Sequence, residues 1–282
     1  MIHCFSVDVE GFCEGMAESI AVPPDAVGSA AERREVEANL DETLEWLDDQ
    51  GVFGTFFILG AIAEEQPHLI RRIADAGHEI ASHSHRHLRL YNMDPETARA
   101  AVVRSKKALE DASGRPVLGF RAPDFSITRR NVYLLDVIRE AGYRYDSSIF
   151  PIAFHDVYGL PNARRDIHPL ANGLVEFPPA TCSAFGRIVP VLGGGYFRLS
   201  PLWLSRSLVG RFEKHGRPVM SYIHPYEVAS TYPTIGGLTW RQRFRHYVNI
   251  DRSRDRFAAL FKRFQFGRAL DVLGQNGYDL AN

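Results

Sequence analysis

Cysteine is scarce in this chain, and no apolar run is long. Three cysteines, Cys4, Cys13 and Cys182, occur among 282 residues. Their number is odd and they form no C-x-x-C pair, which argues against a disulfide framework or a zinc–thiolate site. No stretch approaches the ~18 apolar residues that a membrane-spanning helix requires. An excess of one charge is also missing: 33 Lys+Arg against 34 Asp+Glu leave a formal net charge of -1. Bulk positive charge therefore does not recruit nucleic acid. The start, MIHCFSVDVEG, lacks the basic and apolar regions of a secretory signal, so a cytoplasmic location is expected. G-x-G-x-x-G, the P-loop and G-x-S-x-G are all missing, as are internal repeats and linkers.

What remains is an ordinary globular composition, 45% hydrophobic and 24% charged. The charge is unevenly placed. Residues 1–50 hold thirteen acids against Arg33 and Arg34, whereas residues 241–268 hold nine bases against Asp251 and Asp255.

Strand-like and helix-like patterns alternate along the chain. His3–Val9 reads as a buried strand, and a loop of small residues follows it. Val36, Leu40, Leu44 and Leu47 recur at helical spacing up to about Asp49, and Gly51 ends that helix. Phe53–Leu59 reads as a strand, Pro67 to Ala76 as a helix, and Glu79–Ser82 as a short strand. Asp94-Pro95-Glu96 opens a helix that Gly114 closes, and Leu118–Arg121 is a strand. A helix over Asn131–Ala141 and a strand over Tyr143–Asp146 follow. Residues 150–200, rich in Pro and Gly, are expected to be irregular with short strands and a hairpin. Pro201–Lys214 is a helix and Pro218–Ile223 a strand. This alternation predicts an α/β fold, a parallel sheet or barrel with helices outside.

Chemistry-bearing residues gather just after these strands: Asp8 and Glu10, His83 to His87, Arg121, Asp146 and His224. In parallel α/β folds the C-terminal strand ends carry the site. Asp8 and Glu10 stand at i and i+2, so an extended strand points both the same way. They are either an acidic strand end in water or a general base beside a metal ligand. His83 and His87 are four apart, and one helical turn would bring both to one ion. With Glu10 they form a two-histidine, one-carboxylate set that suits zinc, iron, cobalt or nickel. His85 then points away. Arg121 either fixes a carboxylate in its ionised form or makes an ordinary salt bridge. Asp146 either orients a histidine or caps a turn with Ser147 and Ser148. His224 ends a strand before Pro225, where a general acid is presented. The combination suits metal-assisted hydrolysis of an acyl group.

The ordered series Ser6-Val7-Asp8-Val9-Glu10, His83-x-x-x-His87, Arg121-Ala122-Pro123, Tyr145-Asp146-Ser147-Ser148 and Ile223-His224-Pro225 resembles the polysaccharide deacetylase family (carbohydrate esterase family 4, NodB homology). The stretch from Leu238 to Tyr247 resembles the extension of exopolysaccharide deacetylases of bacterial exosortase loci. The resemblance implies a distorted (β/α) barrel with fewer than eight complete units over residues 1–230, and a helical extension over 231–282 packed on it. It implies removal of N-acetyl groups from N-acetylhexosamine residues of a bacterial surface glycan, an exopolysaccharide or a carrier-linked precursor. It casts Asp8 as base, held by Arg121, and His224 as acid, tuned by Asp146. Glu10, His83 and His87 become ligands of one divalent ion, zinc first, with cobalt, nickel, iron or manganese as alternatives.

Two departures from the family pattern stand out. Adjacent aspartates are usual, but here Val9 separates Asp8 from a glutamate. Asp124 follows Arg121-Ala122-Pro123, where the backbone N–H helps to hold an oxyanion and an acidic side chain would oppose one. Pro123, Asp124, Gly195 and Tyr196 are candidate substrate contacts. The segment Gly193–Arg198 is either a close-approach loop with stacking aromatics or a hairpin turn with core aromatics. Phe257, Leu260, Phe261 and Phe264 form one helical face that packs on the body. The basic residues of the extension are solvated, or they meet an acidic polysaccharide, a glycan diphosphate carrier or an anionic membrane surface. Three other functions compete: an amidohydrolase of small ring amides or ureides, a non-catalytic glycan binder and, distantly, an iron oxygenase.

Overall fold

The computed structural model describes residues 1–152, 159–184 and 186–280. Residues 153–158 and 185, within the segment expected to be irregular, lie outside the described residues. Strand β1 (Ile2–Val9) is buried from His3 onward, as a central strand covered on both faces must be. It is followed along the chain by β2 (Thr55–Ile58), β3 (Glu79–Ser82), β4 (Gly119–Phe120), β5 (Tyr145–Asp146), β6 (His168–Pro169) and β7 (Val175–Glu176). Next come the hairpin β8 (Thr181–Ala184) and β9 (Arg187–Pro190), then β10 (Met220–Ile223) and β11 (Gln265–Gly267).

The main sheet runs in the order β10-β1-β2-β3-β4-β5-β7-β6, and β11 also pairs with β1. All its pairings are parallel except β6 with β7. The sheet curls into a half-barrel. Between β7 and β10 the described residues form no ladder, and the backbone N–H of Ala180 donates across the gap to the Met220 carbonyl at 3.2 Å. The alternating pattern predicted a parallel sheet or barrel, and the incomplete (β/α) barrel is the form that the family resemblance implied.

The helices are bounded by local chemistry. Ser29 caps Ala30–Gln50 by accepting from the Glu32 N–H, and Gly51 ends it in the left-handed conformation at φ 62°. Asp94 accepts from the N–H groups of Glu96 and Thr97 at the start of Pro95–Ser113. Val36, Leu40 and Leu47 are buried beneath the first of these helices, each contributing roughly 1.5–3 kcal/mol of apolar burial. In the C-terminal segment, Phe257 and Leu260 are fully buried, and Phe5 meets the rings of Phe257 and Phe261 at 5.3 and 5.1 Å. The expected apolar face therefore packs on β1, and β11 adds backbone pairing to the same strand.

Three short helices were not legible in the sequence: Phe12–Met16, Gly60–Glu65 and Gly194–Leu199. Each is too short to show a helical period, and all three contain or start on glycine. Among the described residues, no helix is long and apolar enough to cross a membrane.

Candidate active site

A cavity of about 490 Å³ opens at the C-terminal ends of the parallel strands. Asp8 and Glu10 enter it from the end of β1, His83 and His87 from the loop after β3, and His224 from the end of β10. The i, i+2 spacing works as expected: Asp8 and Glu10 both line the cavity. The helical-turn expectation for His83 and His87 does not hold. Residues 83–89 form a loop with Ser84 at φ 66°, and this left-handed residue turns the chain so that the two rings lie 5.4 Å apart. His85 leaves the cavity and packs near Gly60, with Nε2 4.0 Å from Glu64.

Glu10, His83 and His87 offer ligand atoms that all lie within 4.8 Å of one another, and all three side chains are buried. The Glu10 Oε2 atom is 2.9 Å from Nε2 of His87 and 3.4 Å from Nε2 of His83. Even so, this buried oxygen has no aligned hydrogen-bond partner. His83 Nδ1 lies 2.9 Å from the Arg121 carbonyl. A carbonyl only accepts, so the proton sits on Nδ1 and the Nε2 lone pair faces Glu10. An orphaned carboxylate oxygen beside a lone pair turned inward fits a cation site. Burial favours the neutral form of Glu10, but His87 and His224 outweigh it and hold this carboxyl well below the usual range. Burial likewise opposes charge on His87, yet Glu10 lifts that ring to about 10.

Arg121 is wholly buried behind Asp8, its guanidinium carbon 3.9 Å from the Phe57 ring centroid. Its Nη1 donates to Asp8 Oδ1 at 2.5 Å and to Ser6 Oγ at 2.9 Å, and its Nη2 donates to Ser147 Oγ at 3.1 Å. One residue thus orients Asp8 through its side chain and His83 through its carbonyl.

His224 does not have the partner expected for it. Asp146 is fully buried, caps its own turn by accepting from the Ser148 hydroxyl at 2.6 Å and N–H at 3.0 Å, and does not line the cavity. Glu227 instead lies 2.7 Å from His224 Nδ1 through its Oε1, and Arg198 donates to the other Glu227 oxygen at 3.0 Å. The tight turn Pro225–Glu227 makes this pairing local, three residues apart. Nε2 of His224 points back to Glu10 Oε1 at 3.5 Å. Burial opposes the imidazolium of His224, but Glu10 and Glu227 raise it to about 9. Sequence reasoning missed Glu227 and Arg198. The signal for the first was a carboxylate at i+3 from a histidine that precedes proline.

Of the candidate substrate contacts, Asp124, Gly195 and Tyr196 line the cavity, whereas Pro123 is buried and does not. Asp124 and Phe125 are both left-handed, at φ 52° and 49°. Such conformations cost non-glycine residues roughly 1–2 kcal/mol each. The Asp124 carboxylate is drawn to Arg89, whose Nε donates at 2.7 Å. Its charge is therefore compensated by a neighbouring cation. The Gly193–Arg198 segment starts a short helix rather than a hairpin. A Cβ on Gly193 would lie 2.0 Å from the Tyr222 ring, so only glycine permits this approach. Phe197 joins the core while Tyr196 faces the cavity. Phe244, Arg245 and His246, from helix Trp240–Tyr247, close one wall.

Parallel strand ends that bring acid–base groups and a metal-donor set into one cavity mark a hydrolytic α/β enzyme. Residues 29–145 match the polysaccharide deacetylase family, and the chain carries a domain of that family. Residues 147–274 match a domain of unknown function (DUF3473). The site draws on both matched regions, and Asp8 and Glu10 precede them. A chitooligosaccharide deacetylase from Sinorhizobium fredii is 29% identical over 177 residues, 54% of this chain and 78% of that protein. A peptidoglycan-N-acetylglucosamine deacetylase from Bacillus cereus is 31% identical over 80 residues, and the match spans only 29% of its length. The crystal structure of a protein from Mycobacterium smegmatis assigned as a polysaccharide deacetylase superposes with a TM-score of 0.63 at 22% identity, covering 97% of this chain and 88% of that one. PuuE allantoinase superposes at 0.62 and 15% identity, covering 95% and 87%. These two likenesses show the fold and leave the reaction to the site.

Proposed function

We propose that the chain hydrolyses the N-acetyl group of an N-acetylhexosamine residue in a bacterial surface glycan, an exopolysaccharide or its precursor. The convergence of Arg121-braced Asp8, the Glu10–His83–His87 set and Glu227-held His224 in one cavity carries this reading. Those three ligands suit one divalent cation, zinc first, which supplies Lewis acidity to the amide carbonyl and acidifies water. Asp8 accepts the proton of the attacking water, and Arg121 holds it aimed. The backbone N–H at Asp124 faces the developing oxyanion. His224 donates a proton to the departing sugar amine, with Glu227 fixing Nδ1 as the donor side of that ring. Water adds across the C–N bond, and acetate and a free amine leave.

The extension over 231–282 works with the barrel over 1–230 as one unit in this reading. Its helix Trp240–Tyr247 walls the cavity and its β11 pairs with β1. Acetate release measured across a glycan panel, with metal content determined on the same sample, tests the proposal. Allantoin belongs in that panel because the fold is shared with an allantoinase. Turnover of allantoin, with every N-acetylated glycan inert, would replace the deacetylase reading by a ring-amide hydrolase.

A further inference from the structure

A second, smaller cavity of about 150 Å³ lies away from the one described above. Three arginines, Arg165, Arg211 and Arg217, and His215 line it. Among the described residues no carboxylate does. Among the described residues none of the three guanidinium groups has an ion-pair partner within 4 Å. The carboxylate of Asp166, next in sequence, is turned to Arg164 at 2.7 Å and is not in the wall.

Two of the guanidinium groups are held in place by neutral partners. Arg165 Nη1 donates to Ser183 Oγ at 2.8 Å, and Arg217 Nη2 donates to the Arg165 carbonyl at 2.7 Å. Two polar atoms remain unpaired. Thr181, 1% exposed, lines this cavity and its hydroxyl has no hydrogen-bond partner; the buried Nε of Arg217 has none either. Burial depresses the Arg217 guanidinium from its ordinary value; the Asp166 carboxylate partly offsets this and the neighbouring Arg165 adds to it. Like charges gathered in a wall that holds no carboxylate among the described residues, together with an idle donor, are relieved by one anion.

We propose that this cavity is a binding site for a phosphate-class oxyanion, either inorganic phosphate or the phosphoryl group of a sugar phosphate. The volume admits a phosphoryl group, and planar guanidinium forks match its oxygens in pairs. The site is remote from the catalytic centre. Arg217 precedes β10 and His224 follows it, so the two lie at opposite ends of the barrel, about 20 Å apart along an extended strand. The ligand is therefore an effector or an anchoring group, and the scissile amide is elsewhere.

Isothermal titration of the metal-loaded chain with inorganic phosphate, and separately with glucosamine 1-phosphate, tests this. One saturable site per chain is expected. Arg211→Gln, at an exposed position that leaves the fold intact, should weaken it at least tenfold without changing basal acetate release. Thr181→Val should raise the melting temperature of the free protein and abolish the shift that phosphate produces in the wild type. Glu10→Ala should leave phosphate binding unchanged. Tighter binding of the sugar phosphate identifies a phosphomonoester ligand; equal or weaker binding identifies free phosphate. Binding that survives Arg211→Gln, or that disappears in Glu10→Ala, overturns the proposal. So does an absence of binding.

Discussion

Oε1 of Glu227 lies 2.7 Å from Nδ1 of His224, and the opposite carboxylate oxygen is held by Arg198. The imidazole is thereby fixed in one tautomer with Nε2 turned into the cavity. Glu227→Gln should lower kcat for acetate release ten- to a hundredfold with little change in KM, because the interaction matters most as charge develops on the ring. His224→Ala should lower kcat further, and adding Glu227→Gln to it should cost almost nothing more. Steady-state kinetics of the two single variants and the double variant check this; additive losses would separate Glu227 from His224.

Asp8 and Glu10 share the end of β1 but serve different ends in the proposed reaction. Asp8→Asn should reduce turnover at least a hundredfold while the chain keeps one divalent ion, measured by elemental analysis. His87→Ala should lose both ion and activity. Chelation of the wild type should abolish acetate release, and stoichiometric zinc should restore it.

The Asp8–Arg121 pair is nearly inaccessible to water. Arg121→Met should strand the Asp8 charge and lower unfolding stability by about 3–5 kcal/mol in urea titrations. Combining it with Asp8→Asn should recover part of that loss, since asparagine carries no charge to strand. A double variant as unstable as the sum of the singles would contradict the pairing.

Asp124 holds a carboxylate beside the proposed oxyanion position, compensated by Arg89 at 2.7 Å. Asp124→Asn should change kcat by less than about threefold, because asparagine tolerates the left-handed conformation and the charge was already balanced. Arg89→Ala should lower kcat more, by about tenfold, since it leaves that charge facing the reaction. The reverse ranking would show that Asp124 acts directly on substrate.

Two buried histidines outside the site predict an acid limit to stability. His78 Nδ1 accepts from the Gly54 N–H at 3.0 Å, and His3 Nδ1 accepts from the Val219 N–H at 3.2 Å. Burial, aided by Arg268 near His78 and by the N-terminus near His3, lowers each ring from 6.5 to about 4. Below pH 6.5 the unfolded chain takes up protons that the folded chain refuses. Stability is therefore full above about pH 6.5 and falls as the pH drops to about 4, by ~3 kcal/mol per ring. His78→Gln keeps an acceptor for Gly54 without titrating. It should flatten the pH dependence of urea unfolding by one proton.

The alternating pattern and the placement of functional groups were legible from the chain alone. Leu40 and Leu47 recur at helical spacing, and Asp8 and Glu10 at strand spacing, so their faces follow from local geometry. The polysaccharide deacetylase domain was legible as well, in an ordered series of short motifs. Other features were set by contacts distant in sequence or by backbone turns with no periodic signal. His83 and His87 converge through a left-handed Ser84 rather than a helical turn. Asp146, placed beside His224 by motif order, is spent on its own turn.

What the sequence determined by itself is the order of the longer strands and helices and of most of the reactive side chains, because these depend on spacing along the chain. What only the tertiary structure decided is which side chains meet. Arg121 reaches Asp8 across 113 residues, Arg198 fixes Glu227, helix Trp240–Tyr247 walls the cavity, and three arginines share a second one. Pairings of this kind are fixed by how a curled sheet and its outer helices pack, and no spacing along the chain encodes them.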